Sequence, residues 1–266
     1  MAQRSFWKGY LKLSLVTCPV AMLPAVTDAE RVRFHTLNRA TGNRVESRYV
    51  DPETGDVVED DDIAKGYEAG EDRTVVVDDD ELEAVALEST RTIDIEMFVP
   101  KESIEWVWYD RPHYLVPDDA VGAQAYVVIR SAMAATGMVG IARLVLYRRE
   151  RAVMLEPRER GILVWTLRYG DEVRDPADYF RGLDDEPAEP EVMSLLARLI
   201  ERKTRPWRPE MAGDPVQDRL LDIIAAKRKG RARRKPKVAP APEPSNVINI
   251  MDALKKSIAA ERSKRG

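Results

Sequence analysis

The chain has one cysteine and two histidines in 266 residues. Cys18 has no second thiol with which to form an intrachain disulfide, and multi-cysteine metal sites are excluded with it. It sits in the apolar run LSLVTCPVAML and reads as a buried structural thiol, since a catalytic one would need His35 or His113 as its base. No stretch approaches the roughly 18–20 apolar residues of a membrane span, and MAQRSFWKGY lacks the charged-then-apolar order of a signal peptide. A cytoplasmic protein with no membrane partner is expected. Walker, GxGxxG, GxSxG and HExxH motifs are all missing. Acids are plentiful, so nothing marks one carboxylate as a tuned base. The clusters Asp78, Asp79, Asp80, Glu81 and Glu59 to Asp62 read as a helix start and solvated charge rather than Mg²⁺ sites. The expectation is therefore no enzyme, no catalytic residue, no metal and no cofactor.

The net charge of −4 conceals a division. From Lys227 to Gly266 there are 13 Lys and Arg against three acids, a net of +10. Residues 1–226 hold 29 basic and 43 acidic side chains, a net of −14. An acidic body with a basic extension points to a polyanion partner.

The first half has the period of strands. Leu11, Leu13 and Leu15 alternate with polar residues in YLKLSLV, as do Ile93, Ile95, Met97 and Val99 in RTIDIEMFVP. RVRFHTLN and RVESRYV are expected to be two further strands, with DPETGD (51–56) a turn after them. VVVDDDELEAVALEST suits a strand leading into a short helix capped by an Asp at 78–80. AVGAQAYVVIRSAMAA suits a helix with Tyr126, Ile129 and Met133, and Val127 as a further candidate, on its apolar side. Three strand-like runs follow, 138–147, 152–156 and 162–169, joined by RRER and PRERG. They could form an extended hairpin. Two amphipathic helices come next, with Val192, Leu195, Leu196 and Leu199 on one and Leu220, Leu221, Ile224 and Ala225 on the other. No internal repeat is found.

Arginine stands out in this body. Arg143, Arg148, Arg149, Arg151, Arg158 and Arg160 fall around the two connections of the central strands. Two readings are open: solvated loops paired with Glu150, Glu156 and Glu159, or guanidiniums facing phosphate, which Arg engages bidentately. No recognition helix for base edges is evident, so phosphate contacts would position the protein without reading sequence. The tail stretch KRKGRARRKPK adds Lys227, Arg228, Lys229, Arg231, Arg233, Arg234, Lys235 and Lys237. Broken by Gly230 and Pro236 and self-repelling, it reads as a solvated nucleic-acid-binding segment. After the proline-rich KPKVAPAPEPS, the segment NVINIMDALKKSI places Val247, Ile250 or Met251, Leu254 and Ile258 at helical spacing. A helix of about a dozen residues is marginal alone. It reads as a peptide for a partner's groove, or as one that folds back onto the body.

Taken together, FWKGYLKLSLVTCPVAMLPA, ESTRTIDIEMFVP and IARLVLYRRERAVMLEPRERGILVWTLRY followed by DEVRDP resemble the bacterial Ku family, the DNA-end-binding proteins of non-homologous end joining. The resemblance runs almost continuously over about 1–185. It implies an α+β, mainly β fold: a β-barrel core with a long strand-built bridge, two copies of which form a ring through which a DNA end threads. The arginine hairpin would then belong to the bridge. VINIMDALKKSI resembles the segment through which bacterial Ku proteins engage an ATP-dependent DNA ligase, so Val247, Ile248, Ile250, Met251, Leu254 and Ile258 are implied as its contacts. Some relatives carry paired CxxC motifs where this chain has YVDPETGD, so no zinc is expected. The von Willebrand-like domain of the eukaryotic relatives has no counterpart here, which suits a homodimer of a minimal core.

The implied organisation is a core at 1–185, a helical region at 186–229, a basic Pro-rich linker at 230–245 and a ligase-binding tail at 246–266. The implied function is non-catalytic binding of double-stranded DNA ends near the nucleoid, without sequence specificity, together with recruitment of the ligase. A nonspecific DNA- or RNA-coating protein that works through its basic tail is the alternative.

Overall fold

The computed structural model describes residues 5–70, 73–85, 91–183 and 189–229. Its chain divides into two compact units, one of residues 1–30 and 35–176, the other of residues 31–34 and 177–266.

The first unit is built on a closed seven-stranded barrel. Strands β1 (Trp7–Leu13), β2 (Val16–Pro24), β5 (Thr92–Pro100), β6 (Tyr109–Pro117), β7 (Met138–Leu146), β8 (Arg149–Arg158) and β9 (Gly161–Leu167) run in the order β1-β2-β6-β9-β8-β7-β5. Every neighbour is antiparallel except the closing pair β1–β5, which is parallel. Two strand expectations fail at identifiable places. The chain reverses after Leu13 through Ser14, whose φ is 55°, so Leu15 projects from the turn fully exposed instead of continuing the alternation. In β5 a bulge between Ile95 and Met97 turns the strand over. Ile93 and Ile95 point into the barrel, whereas Met97 is half exposed, because one extra residue moves every later side chain to the other face.

The runs 138–147, 152–156 and 162–169 close the barrel wall; they do not project as a hairpin. RRER is not a connection either. The turn is Tyr147 and Arg148, with φ of 52° and 65°, the two positive values of a type I′ loop, and Arg149 already pairs with Leu146.

Helix α2 (Ala120–Thr136) begins where Asp119 accepts a hydrogen bond from the Gly122 amide at 2.6 Å and ends on Gly137 at φ 68°. Tyr126, Ile129 and Met133 enter the barrel core as the periodicity predicts, while Val127 lies on the exposed side. Tyr126 donates its hydroxyl to the Leu115 carbonyl at 2.6 Å and accepts from the Ile162 amide at 2.8 Å, fastening the helix to β6 and β9. Burial pushes that hydroxyl's pKa up to about 12. Gly122 is required here, since a Cβ would lie 2.5 Å from the ring of Pro19 on β2.

Residues 35–85 form an excursion between β2 and β5 of different character. RVRFHTLN and RVESRYV are not strands; only the isolated pairs Leu37 with Arg44 and Val50 with Val57 form. What the residues build is a tandem repeat with a period of 13. The Asn38 amide donates to the Asn43 carbonyl and the Gly42 amide to the Asn38 carbonyl; the Asp51 amide donates to the Asp56 carbonyl and the Gly55 amide to the Asp51 carbonyl. The side-chain bonds match as well: Asn38 accepts from Ala40 and Thr41, Asp51 from Glu53 and Thr54, while Thr41 and Thr54 accept from Asn43 and Asp56. Gly42 and Gly55 take φ of 75° and 79°. The excursion continues through a two-stranded sheet of β3 (Lys65–Glu68) and β4 (Thr74–Val77) into helix α1 (Asp79–Ala84). Asp78 caps α1 in a reciprocal capping box with Glu81.

The second unit carries α3 (Ala177–Phe180), α4 (Pro190–Lys203) and α5 (Pro215–Arg228). Each of the longer two starts at a proline, and Asp214 caps α5 through the Val216 and Gln217 amides. Val192 is buried and Leu195, Leu196, Leu199, Leu220 and Ile224 are half-buried, as one apolar face each requires; Leu221 and Ala225 remain exposed. The Gln217 side chain accepts a hydrogen bond from the Val32 amide at 3.0 Å.

Candidate nucleic-acid interface

The arginines of the central strands form two groups. Arg143, Arg148, Arg149 and Arg151 lie around the β7–β8 turn, and Arg158 and Arg160 around the β8–β9 turn. The ten residues of β8 separate these turns by roughly 30 Å at ~3.3 Å per residue. They belong to the barrel, so the expectation that they lie in a projecting bridge is corrected.

Register decides what each arginine can reach. Arg151 pairs with Leu144, whose side chain lies in the barrel core, so Arg151 points to the barrel's inner face near its end. There its guanidinium stands 3.7 Å from Asp110 and 5.0 Å from the centre of the Tyr169 ring. Arg168 holds the other oxygen of Asp110 at 3.7 Å, and the Thr166 hydroxyl donates to the same carboxylate at 3.3 Å. Arg151 is therefore engaged within the barrel's end. Arg143 is engaged by Glu150 at 3.1 Å and Glu96 at 3.8 Å, and Arg148 by Glu83 at 3.1 Å. These pairs are solvent-exposed, and exposed pairs contribute only about 0–1 kcal/mol, so a phosphate can compete for both arginines. Glu156, expected as a partner for the arginines, is taken by Lys101 at 2.5 Å. Arg149, Arg158 and Arg160 are exposed and have no side-chain partner among the described residues. At the second turn the Glu159 carbonyl is bound by Arg130 from α2.

Three further arginines escaped sequence reasoning. Arg39, Arg44 and Arg48 on the first half of the tandem repeat are exposed, and no described side chain pairs with them. Local charge was the available signal: residues 38–50 hold three arginines against Glu46, whereas 51–63 hold seven acids and no base. Lys227 and Arg228 form the last turn of α5, with Lys229 as its C-cap, where the helix dipole favours cations. Arg231, Arg233, Arg234, Lys235 and Lys237, and the partner-segment residues Val247, Ile248, Ile250, Met251, Leu254 and Ile258, lie outside the described residues.

The excursion also presents apolar surface. None of its described residues is buried, although it includes Leu37, Tyr49, Val50, Val57, Tyr67 and Val76, the tyrosines being 70% exposed. Elsewhere the reactive groups are sequestered. Burial raises the pKa of the Cys18 thiol, assisted by Asp119, and burial lowers that of His113, whose ring lies 5.2 Å from that of Phe6. Among the described residues no group of three or more His, Cys, Asp or Glu could hold a metal ion, and no helix is long and apolar enough to cross a membrane.

Residues 12–194 match the family model described as the Ku70/Ku80 beta-barrel domain. The chain is 60% identical over 267 residues to the non-homologous end joining protein Ku of Methylocella silvestris, covering 99% of this chain and 98% of that one. It is 58% identical to the protein of the same name from Gluconacetobacter diazotrophicus, covering 98% and 99%. The protein so named from Allorhizobium ampelinum is 53% identical, with coverage of 99% and 98%.

Proposed function

Since the chain belongs to the Ku family, we propose that it is a non-catalytic homodimer that binds double-stranded DNA ends in non-homologous end joining and brings an ATP-dependent DNA ligase to them. The observation that carries this reading is the excursion at 35–85. A segment with eleven large apolar side chains exposed and none buried gains nothing by folding alone. A two-stranded sheet such as β3–β4 is marginal without a covering layer. A second copy supplies that layer, and two such excursions enclose a channel that a free DNA end can enter.

Within this reading Arg149, Arg158 and Arg160 bind the phosphate backbone directly. Arg143 and Arg148 join by exchanging a carboxylate for a phosphate. The tail arginines and lysines hold flanking duplex, and the hydrophobic positions of 246–266 engage the ligase.

A gel-shift series on linear and covalently closed circular DNA of one sequence, at moderate salt, tests the proposal. Binding to linear DNA alone is expected; equal binding to both forms would rule out entry at an end. The alternative, coating by the basic tail, rests on the +10 charge of residues 227–266. Removing those residues separates the two: coating predicts loss of all binding. End entry predicts retained binding with a salt slope shallower by about 0.9 for each phosphate that the tail had neutralised. Leu254→Asp is expected to abolish stimulation of the ligase while leaving end binding intact.

A further inference from the structure

The β7–β8 turn faces α1 across an open cleft of 520 Å³ lined by Lys65, Asp79, Glu83, Tyr147, Arg148 and Arg149 among others. Three cations converge there, and two are already occupied. Glu83 lies 3.1 Å from Arg148, and Asp79 lies 2.7 Å from Lys65. Arg149 has no side-chain partner among the described residues.

The carboxylates come from an element that lies at the surface. No residue of α1 is buried, and the helix is capped by its own Asp78 and Glu81. Asp79 and Glu83 stand four positions apart, so they project from one face with Cβ atoms roughly 6 Å apart. Exposed ion pairs of this kind are weak and readily exchanged.

We propose that α1 is a built-in phosphate surrogate: its two carboxylates hold Lys65 and Arg148 in the free protein and yield them to the phosphates of a bound duplex. This rests on the DNA-end reading and adds a competition to it. The cleft is then a backbone-binding site kept closed by the chain's own acids. Isolated anions compete poorly with two tethered carboxylates, whereas a duplex offers several phosphates at once.

The test uses the full chain and a fluorescent blunt-ended duplex, titrated by anisotropy at two salt concentrations. Glu83→Gln and Asp79→Asn are each expected to tighten binding about two- to fivefold. Asp80→Asn makes the same charge change on the same helix at a residue with no described side-chain partner, and is expected to do distinctly less. In an Arg148→Ala background the gain from Glu83→Gln should vanish. Equal gains from Asp80→Asn and Glu83→Gln, or a gain that survives Arg148→Ala, would overturn the surrogate and leave only general repulsion by α1. If the parent protein fails to bind the duplex at all, the DNA-end reading itself falls, which the first titration reveals separately. The cap residues Asp78 and Glu81 are untouched, so the variants keep the helix.

Discussion

The barrel and the excursion at 35–85 lie in one chain and solve the burial problem in opposite ways. The barrel closes on itself, leaves no sheet edge, and fills its interior with Leu11, Ile93, Leu155, Val164 and the Tyr126 face of α2. The excursion has a repeated backbone and exposed valines, tyrosines and leucines, with no interior. A unit that completes its own core is a platform. A segment that cannot leaves its apolar side chains open to a partner surface, which in the proposed homodimer a second copy would supply.

Substitutions should separate the two regions sharply. The largest effect is expected in the barrel, where Leu155→Ala empties fully buried volume and should cost about 2–5 kcal/mol in urea unfolding. In the excursion, Val57→Asp with Val76→Asp should raise the dimer dissociation constant about a hundredfold or more in sedimentation, since burying each valine contributes about 1.5–3 kcal/mol. The barrel's own melting transition should persist in that variant. A collapse of both together would erase the distinction. Tyr126→Phe comes next: it leaves the Leu115 carbonyl and Ile162 amide without their partner and should cost about 1–3 kcal/mol, read as a lower urea midpoint. The smallest effect concerns His113, buried in the barrel wall with a pKa below its ordinary 6.5. The unfolded chain takes up this proton more readily, so barrel stability should fall as pH drops below about 6.5, and His113→Asn should flatten that slope.

These regions also differ in how far the sequence reveals them. The barrel strands and α2 were legible because one buried face imposes a period, and Ile93, Ile95, Tyr126, Ile129 and Met133 obey it. The misreadings there are local: the turn that exposes Leu15 and the bulge that turns Met97 outward. In the excursion no inner face exists to set a period, so RVESRYV imitates a strand. The 13-residue repeat was hidden because it is written in hydrogen bonds; beyond Thr-Gly, Asn or Asp at the turn ends and a few matched positions, the side chains differ. The arginines were found as a set but not sorted. Register and partners together show that Arg151 is committed to Asp110 and Tyr169, while Arg149, on the same face at the strand's end, and Arg158 and Arg160 at the far turn are exposed with no side-chain partner among the described residues.

Hydrogen exchange above and below the dimer dissociation concentration distinguishes a segment completed by a second copy from one that stands alone. The expected result is slow exchange of the barrel amides at both concentrations, with the amides of 35–85 protected only in the dimer. Excursion amides that exchange at the same rate in monomer and dimer would contradict the claim that a second copy completes this segment.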